Sequence, residues 1–169
     1  VAYQDFNNSR YSTAVVGTIS GSSISFGTPV VIQSSALNYT PAMAYDSTNQ
    51  KVVVSVEQGA TLVALVGTVS GTTISFGSPT TWLNDVTNYT QMVYDSANQK
   101  VVICAQYAFF VGTVSGTSIS FGSLAQISPS QDIDWISAVY DAASGKILVS
   151  HMDGPNSNYG TSIVGTVSG

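Results

Sequence analysis

The chain has 169 residues, of which 44% are hydrophobic and only 8% charged, with a formal net charge of −5. Its four bases, Arg10, Lys51, Lys100 and Lys146, are too few and too scattered to follow a phosphate backbone, which argues against nucleic-acid binding. No apolar run reaches the ~18 residues of a spanning helix, so no membrane insertion is expected, and the single cysteine, Cys104, allows no intrachain disulfide.

In chain order, the first recognisable element is Val16-Gly17-Thr18-Ile19-Ser20-Gly21. Near-copies follow at Val66 to Gly71, Val111 to Gly116 and Val164 to Gly169, with steps of 50, 45 and 53 residues between the glycines that follow each valine. After each of the first three copies comes an Ile-Ser-Phe-Gly piece: Ile24 to Gly27, Ile74 to Gly77 and Ile119 to Gly122. Before each of the last three copies stand two more pieces. One ends in Tyr-Asp, at Tyr45-Asp46, Tyr94-Asp95 and Tyr140-Asp141. The other opens on lysine, at Lys51, Lys100 and Lys146, and runs on in β-branched residues. Alternating apolar and polar residues between short Ser, Gly and Asn turns predict strands throughout. A unit of four antiparallel strands, a to d, repeating near 50 residues is the pattern of propeller blades. The chain reads bcd, abcd, abcd, abc, fourteen strands. The partial blade spans 1–32, full blades span 37–80 and 87–126, and a second partial blade spans 134–169. Val1 to Gly21 aligns without gaps to Val149 to Gly169, with 11 identities in 21 positions. The chain starts within a repeat, so a processed or partial piece of a longer polypeptide is expected.

The Tyr-Asp-Ser-x-x-Asn-x-Lys-Val-Val-Val run, followed by Val-Gly-Thr-Val-Ser-Gly-Thr-Ser-Ile-Ser-Phe-Gly-Ser, resembles repeats of similar length in structural proteins of marine phages, cyanophages especially, and in bacterial surface proteins. The blade layout is also similar to that of NHL and Kelch propellers, although the Gly-Gly pair of Kelch is missing. The resemblance covers essentially the whole chain. It implies an all-β propeller in a virion, extracellular or cell-surface setting, and no catalytic residue. About 3.5 blades per chain are short of the usual 4 to 8. Ring closure is therefore expected either from a homo-oligomer joined head to tail or from flanking repeats of a longer chain.

What repeats and what varies separates two rims. In the three copies the Asp-to-Lys step is always 5 residues, and the step from glycine to Phe across the c–d turn is always 9. From the lysine across strand b to the glycine of strand c the counts are 16, 12 and 19, and the d–a loops differ in content. Binding surfaces sit on variable loops held by a rigid scaffold, so the b–c and d–a rim is the candidate binding face. Asp5, Glu57, Asp85, Asp132, Asp134 and Asp153 fall there with Arg10 as the only base, which predicts an acidic face for neutral or cationic partners.

Trp82, Tyr107, Phe109, Phe110, Trp135, Tyr11 and Tyr159 lie on the same rim. Aromatic rings beside carboxylates and amides suit sugars, whose C–H faces stack while hydroxyls bond the polar groups. The candidate ligand residues are Trp82, Asp85, Tyr107, Asp132, Asp134, Trp135, Asp153, Asn156 and Tyr159. Trp135, at the start of a strand, reads first as a packing residue; Trp82, in mid-loop, reads equally either way. Asp132 and Asp134 with Asp85 could contribute calcium ligands but fall short of the six to eight oxygens required, so no cofactor or metal is expected. His151 and Asp153 share a strand face, yet no nucleophile motif accompanies them, and His151 reads as a surface residue. The Asp and Lys of each uniform turn read as local turn and salt-bridge elements. Asn38-Tyr39-Thr40 and Asn88-Tyr89-Thr90 have the form of glycosylation sequons. Cys104, within Val-Val-Ile-Cys-Ala, reads as a buried thiol. The expected function is non-enzymatic partner recognition, of a glycan by chemistry; the alternative is a purely structural repeat scaffold, with a hydrolase a distant third.

Overall fold

The computed structural model describes residues 1–36, 38–85, 87, 89–126 and 133–168. Among these the chain is all-β, with antiparallel pairing throughout and one short 3-10 turn at Gly154–Asn156. The first repeat holds β1 (Ala2–Asp5), β2 (Tyr11–Ala14), β3 (Gly17–Ser20), β4 (Ser23–Phe26) and β5 (Val30–Ala36). The second holds β6 (Ala42–Asp46), β7 (Lys51–Gln58), β8 (Thr61–Ser70), β9 (Thr73–Phe76) and β10 (Thr80–Leu83). The third holds β11 (Gln91–Asp95), β12 (Lys100–Cys104), β13 (Ala108–Ser115), β14 (Ser118–Phe121) and β15 (Ala125–Gln126). The last holds β16 (Ile133–Asp141), β17 (Lys146–Asp153) and β18 (Tyr159–Gly165).

Each of the last three repeats forms its own sheet, the first forms a three-stranded sheet and a separate hairpin, and successive sheets pack face to face. The first strands of the last three repeats, β6, β11 and β16, lie side by side. No sheet among the described residues closes on itself. The order is β1-β2-β5 with a separate β3-β4 hairpin, then β10-β8-β7-β6, then β11-β12-β13-β14, then β16-β17-β18.

Among the described residues the fourteen expected strands appear as 18, because four of them are split. The third strand of the first repeat breaks between β2 and β3. Each fourth strand breaks after its glycine, so that β9 and β10 both pair with β8, and β14 and β15 both pair with β13. Pro29 and Pro79 follow two of these breaks and can give no ladder N–H, but Leu124 stands at the third, so proline is not the common cause. A glycine opens all three breaks, and at Gly27 and Gly77, though not at Gly122, a neighbouring turn crowds it. A Cβ on Gly27 would lie 2.0 Å from the carbonyl oxygen of Thr72, and on Gly77 2.0 Å from that of Thr117. The turn of the next repeat presses against the backbone here, and only a residue without a side chain admits it. The fourth strands also run past the expected repeat boundaries, to Ala36 and Leu83, and β16 starts at Ile133.

The apolar alternation of the strands feeds three clusters. Val54, Val56, Val63 and Leu65 of the second sheet pack with Ala2 and Ile32 of the first. Val53, Val66 and Trp82 of the second pack with Met92, Val101, Ile103, Phe110, Val114 and Ile119 of the third. Val93, Val102 and Cys104 of the third pack with Ile133, Ile136, Ile147 and Val149 of the last. A fully buried valine contributes roughly 1.5–3 kcal/mol. The middle sheets are apolar on both faces, so that contribution exists only with neighbours on both sides.

Candidate functional site

On the uniform rim, each Asp caps its own turn. Asp46 Oδ1 accepts from the N–H of Thr48 and of Asn49 at 3.0 Å each, and Oδ2 accepts from Asn49 Nδ2 at 2.8 Å. Asp95 repeats this with Ala97 and Asn98, and Asp141 with Ala143 and Ser144. The turn's last position takes a positive φ, at Gln50 (54°), Gln99 (56°) and Gly145 (66°). The expected Asp–Lys salt bridge does not form: Lys51, Lys100 and Lys146 each donate from Nζ at 2.9 Å to the threonine hydroxyl of the Val-Gly-Thr copy, at Thr68, Thr113 and Thr166. Both oxygens of each carboxylate are already spent on the turn, and the lysine crosses the sheet to the third strand.

A second contact joins neighbouring repeats. Tyr94 OH donates to Thr48 Oγ1 at 2.6 Å, and Tyr140 OH accepts from the Ala97 N–H at 3.3 Å. Burial alone would raise the carboxyl of Asp46, but the Asn49 side chain and backbone, the Tyr94 hydroxyl and the Thr48 N–H hold it below its ordinary value. Asp95 is likewise held low against burial by Asn98, Tyr140 and Ala97. Burial, with Asp46 beside it, pushes the Tyr94 phenol up.

The diverse rim differs from expectation at both tryptophans. Trp82 is buried, its Nε1 donating to Ser55 Oγ at 3.0 Å and its ring edge-on to Phe110 at 5.2 Å. It belongs to the core, because its indole N–H finds a partner inside the sheet. Trp135 is 68% exposed, sits at φ +54° in the irregular stretch of β16, and rests against the Tyr89 ring at 5.1 Å between centroids. Packing does not hold it there; a bulge in the strand turns it outward.

Around this pair the other candidates divide. Asp134 is half-buried and its Oδ1 accepts from Gln106 Nε2 at 3.4 Å, linking the b–c loop of the third sheet to β16. Tyr107 is half-buried against the core, its phenol pushed up by burial and by the Asp85 charge; Asp85 itself is exposed. Asp153, half-buried, precedes the 3-10 turn that carries the exposed Asn156, and Tyr159 follows at 65% exposed. Asp132 lies outside the described residues. Phe109 and Tyr11 are half-buried and Phe110 is buried. His151 is buried rather than on the surface, and it makes no hydrogen bond to Asp153 among the described residues.

Three residues outside the candidate ligand set matter here. Tyr89 bridges Trp135 to a cleft of about 250 Å³ lined by Asn38, Tyr39, Thr40, Tyr89, Thr90, Gln91 and Ile136. The sequon-like Asn-Tyr-Thr copies thus meet at one cleft, although Asn88 is outside the described residues. Gln106 holds Asp134. Glu57, expected as surface acid, is 3% exposed, and its Oε2 accepts from the Asn38 N–H at 2.8 Å and from Asn38 Nδ2 at 3.3 Å. Its place near the end of β7, beside the loop that precedes β6, was the only signal.

No group of three or more His, Cys, Asp or Glu suited to a metal occurs among the described residues. Burial pushes the Cys104 thiol up to about 12, which leaves little thiolate at neutral pH. No helix is long and apolar enough to cross a membrane among the described residues. No protein-family model, curated protein or solved structure matches the chain.

Proposed function

We propose that the chain is a non-enzymatic recognition module of propeller type, with four-stranded antiparallel blades, whose b–c and d–a rim binds a glycan. A virion or cell-surface setting agrees with the repeat resemblance. Support for the blade layout comes from first strands that lie side by side in sheets packed face to face. The observation that carries the binding reading is Trp135. A bulky residue at positive φ costs on the order of 1–2 kcal/mol, and its exposed indole recovers nothing from the core. With Tyr89 it forms a broad apolar platform for the C–H face of a sugar ring. Asp134, Gln106 and the hydroxyls and amides of the adjoining cleft stand ready for hydroxyl groups.

A glycan array followed by titration of any hit tests this. Trp135→Ala is expected to weaken binding at least about tenfold, the value of one lost aromatic platform, while the thermal midpoint stays within a degree or two of the parent. An array without hits, or a variant that binds as the parent does, removes the reading in favour of a purely structural scaffold.

A further inference from the structure

Three matching cross-strand rows run across the last three sheets. Ala44 pairs with Val53 and Val53 with Val66; Val93 pairs with Val102 and Val102 with Val111; Val139 pairs with Leu148 and Leu148 with Val164. The first two rows are covered by the following sheet, with Val53 at 0%, Val66 at 1% and Val102 at 2% exposed. The third is open, with Val139 at 56%, Leu148 at 41% and Val164 at 67% exposed.

What covers such a row is also visible inside the chain. Over the second sheet lies the hairpin of the third, whose Val114 and Ile119 are cross-strand partners and belong to the same apolar cluster as Val53 and Val66. The same hairpin in the first repeat, β3–β4, is exposed along its whole length. There Ile19 and Ile24 are partners, Phe26 pairs with Gly17, and all three large side chains stand at least half exposed. One face of the chain thus carries the open row, and the opposite face carries the hairpin type that closes such rows at the second-to-third junction.

The geometry points to a second copy of this chain as the partner of the last sheet: the Val139–Leu148–Val164 row of one copy docks against the β3–β4 hairpin face of another, head to tail. The occupant is specified by the molecule itself, since its own internal junction joins this row to this hairpin. A head-to-tail contact uses two different surfaces, so each copy retains one free end, and repetition gives a ring if the rotation closes and a filament if it does not. This inference does not depend on glycan binding.

Sedimentation velocity across a concentration series tests it with two exposed substitutions, Leu148→Asp and Ile24→Asp. The parent chain is expected to give complexes of two or more copies that grow with concentration. Each variant alone is expected to be monomeric, because an unpaired carboxylate in the contact weakens it by at least roughly 100-fold. Mixed together, the two variants still have one intact surface each, so they are expected to form a 1:1 complex and nothing larger. Circular dichroism of each variant establishes folding, and Val164→Lys with Phe26→Lys provides a second pair should either fail. A monomeric parent chain overturns the inference. So does self-association that both variants retain, or association lost in Leu148→Asp but kept in Ile24→Asp, which would mean that two last sheets face each other symmetrically.

Discussion

At the scale of single residues, the tyrosine before each turn aspartate separates inter-repeat contact from local turn chemistry. Tyr94 and Tyr140 reach back to the preceding turn, whereas Tyr45 is 56% exposed. Tyr94→Phe and Tyr140→Phe are each expected to cost about 1 kcal/mol, the net worth of one hydrogen bond, and Tyr45→Phe is expected to leave urea denaturation unchanged. Equal effects at all three would show that the hydroxyl contact contributes nothing. The repeated Tyr-Asp pair was legible in the sequence, but its direction was not, because a phenol with an apolar body and a polar tip fits a local or a distant partner equally. The tryptophans show the same limit. Position relative to a strand says where a backbone goes, while the indole of Trp82 turned inward because Ser55 accepted its N–H.

At the scale of elements, the repeating strand order followed from alternation and turn residues, and two of the departures, at Gly27 and Gly77, have a common physical origin. A pattern of side chains cannot report that a neighbouring turn will press on a backbone. The glycines closing Ile-Ser-Phe-Gly were visible as punctuation, yet two of them, Gly27 and Gly77, lie against the backbone of Thr72 and Thr117. Gly77→Ala is therefore expected to lower stability by several kcal/mol, roughly the scale of core overpacking. At Gly122 nothing lies closer to an added Cβ than 3.8 Å, so Gly122→Ala is expected to melt within about a degree of the parent. Thermal melts of the two variants compare them directly, and a harmless Gly77→Ala would refute the contact.

At the scale of the whole molecule, the repeat period and the face-to-face sheets were readable because periodicity survives any detail of packing. Which surface acid remained on the surface was not readable: Glu57 lies inside, where its Oε2 accepts from the Asn38 N–H. The capping aspartates also set a pH window. Asp46, Asp95 and Asp141 have folded-state pKa values held below the ordinary one. Their stabilisation is complete above the unfolded value of about 3.9 and disappears as pH falls through the lowered folded values. Denaturant midpoints are expected to hold from neutrality to about pH 5 and to decline below about pH 4. The double variant Asp46→Asn, Asp95→Asn is expected to start lower at neutral pH and to decline less; a parent curve flat to pH 2 would contradict this. Tyrosine and turn aspartate are adjacent in sequence in each of the last three repeats, at Tyr45-Asp46, Tyr94-Asp95 and Tyr140-Asp141, while Tyr94 and Tyr140 serve the turn of the repeat before their own. A duplicated or deleted gene segment of one repeat length would carry both halves together, so every new junction would have this contact at birth. Such a chain can change its number of units by recombination while keeping this contact at its junctions.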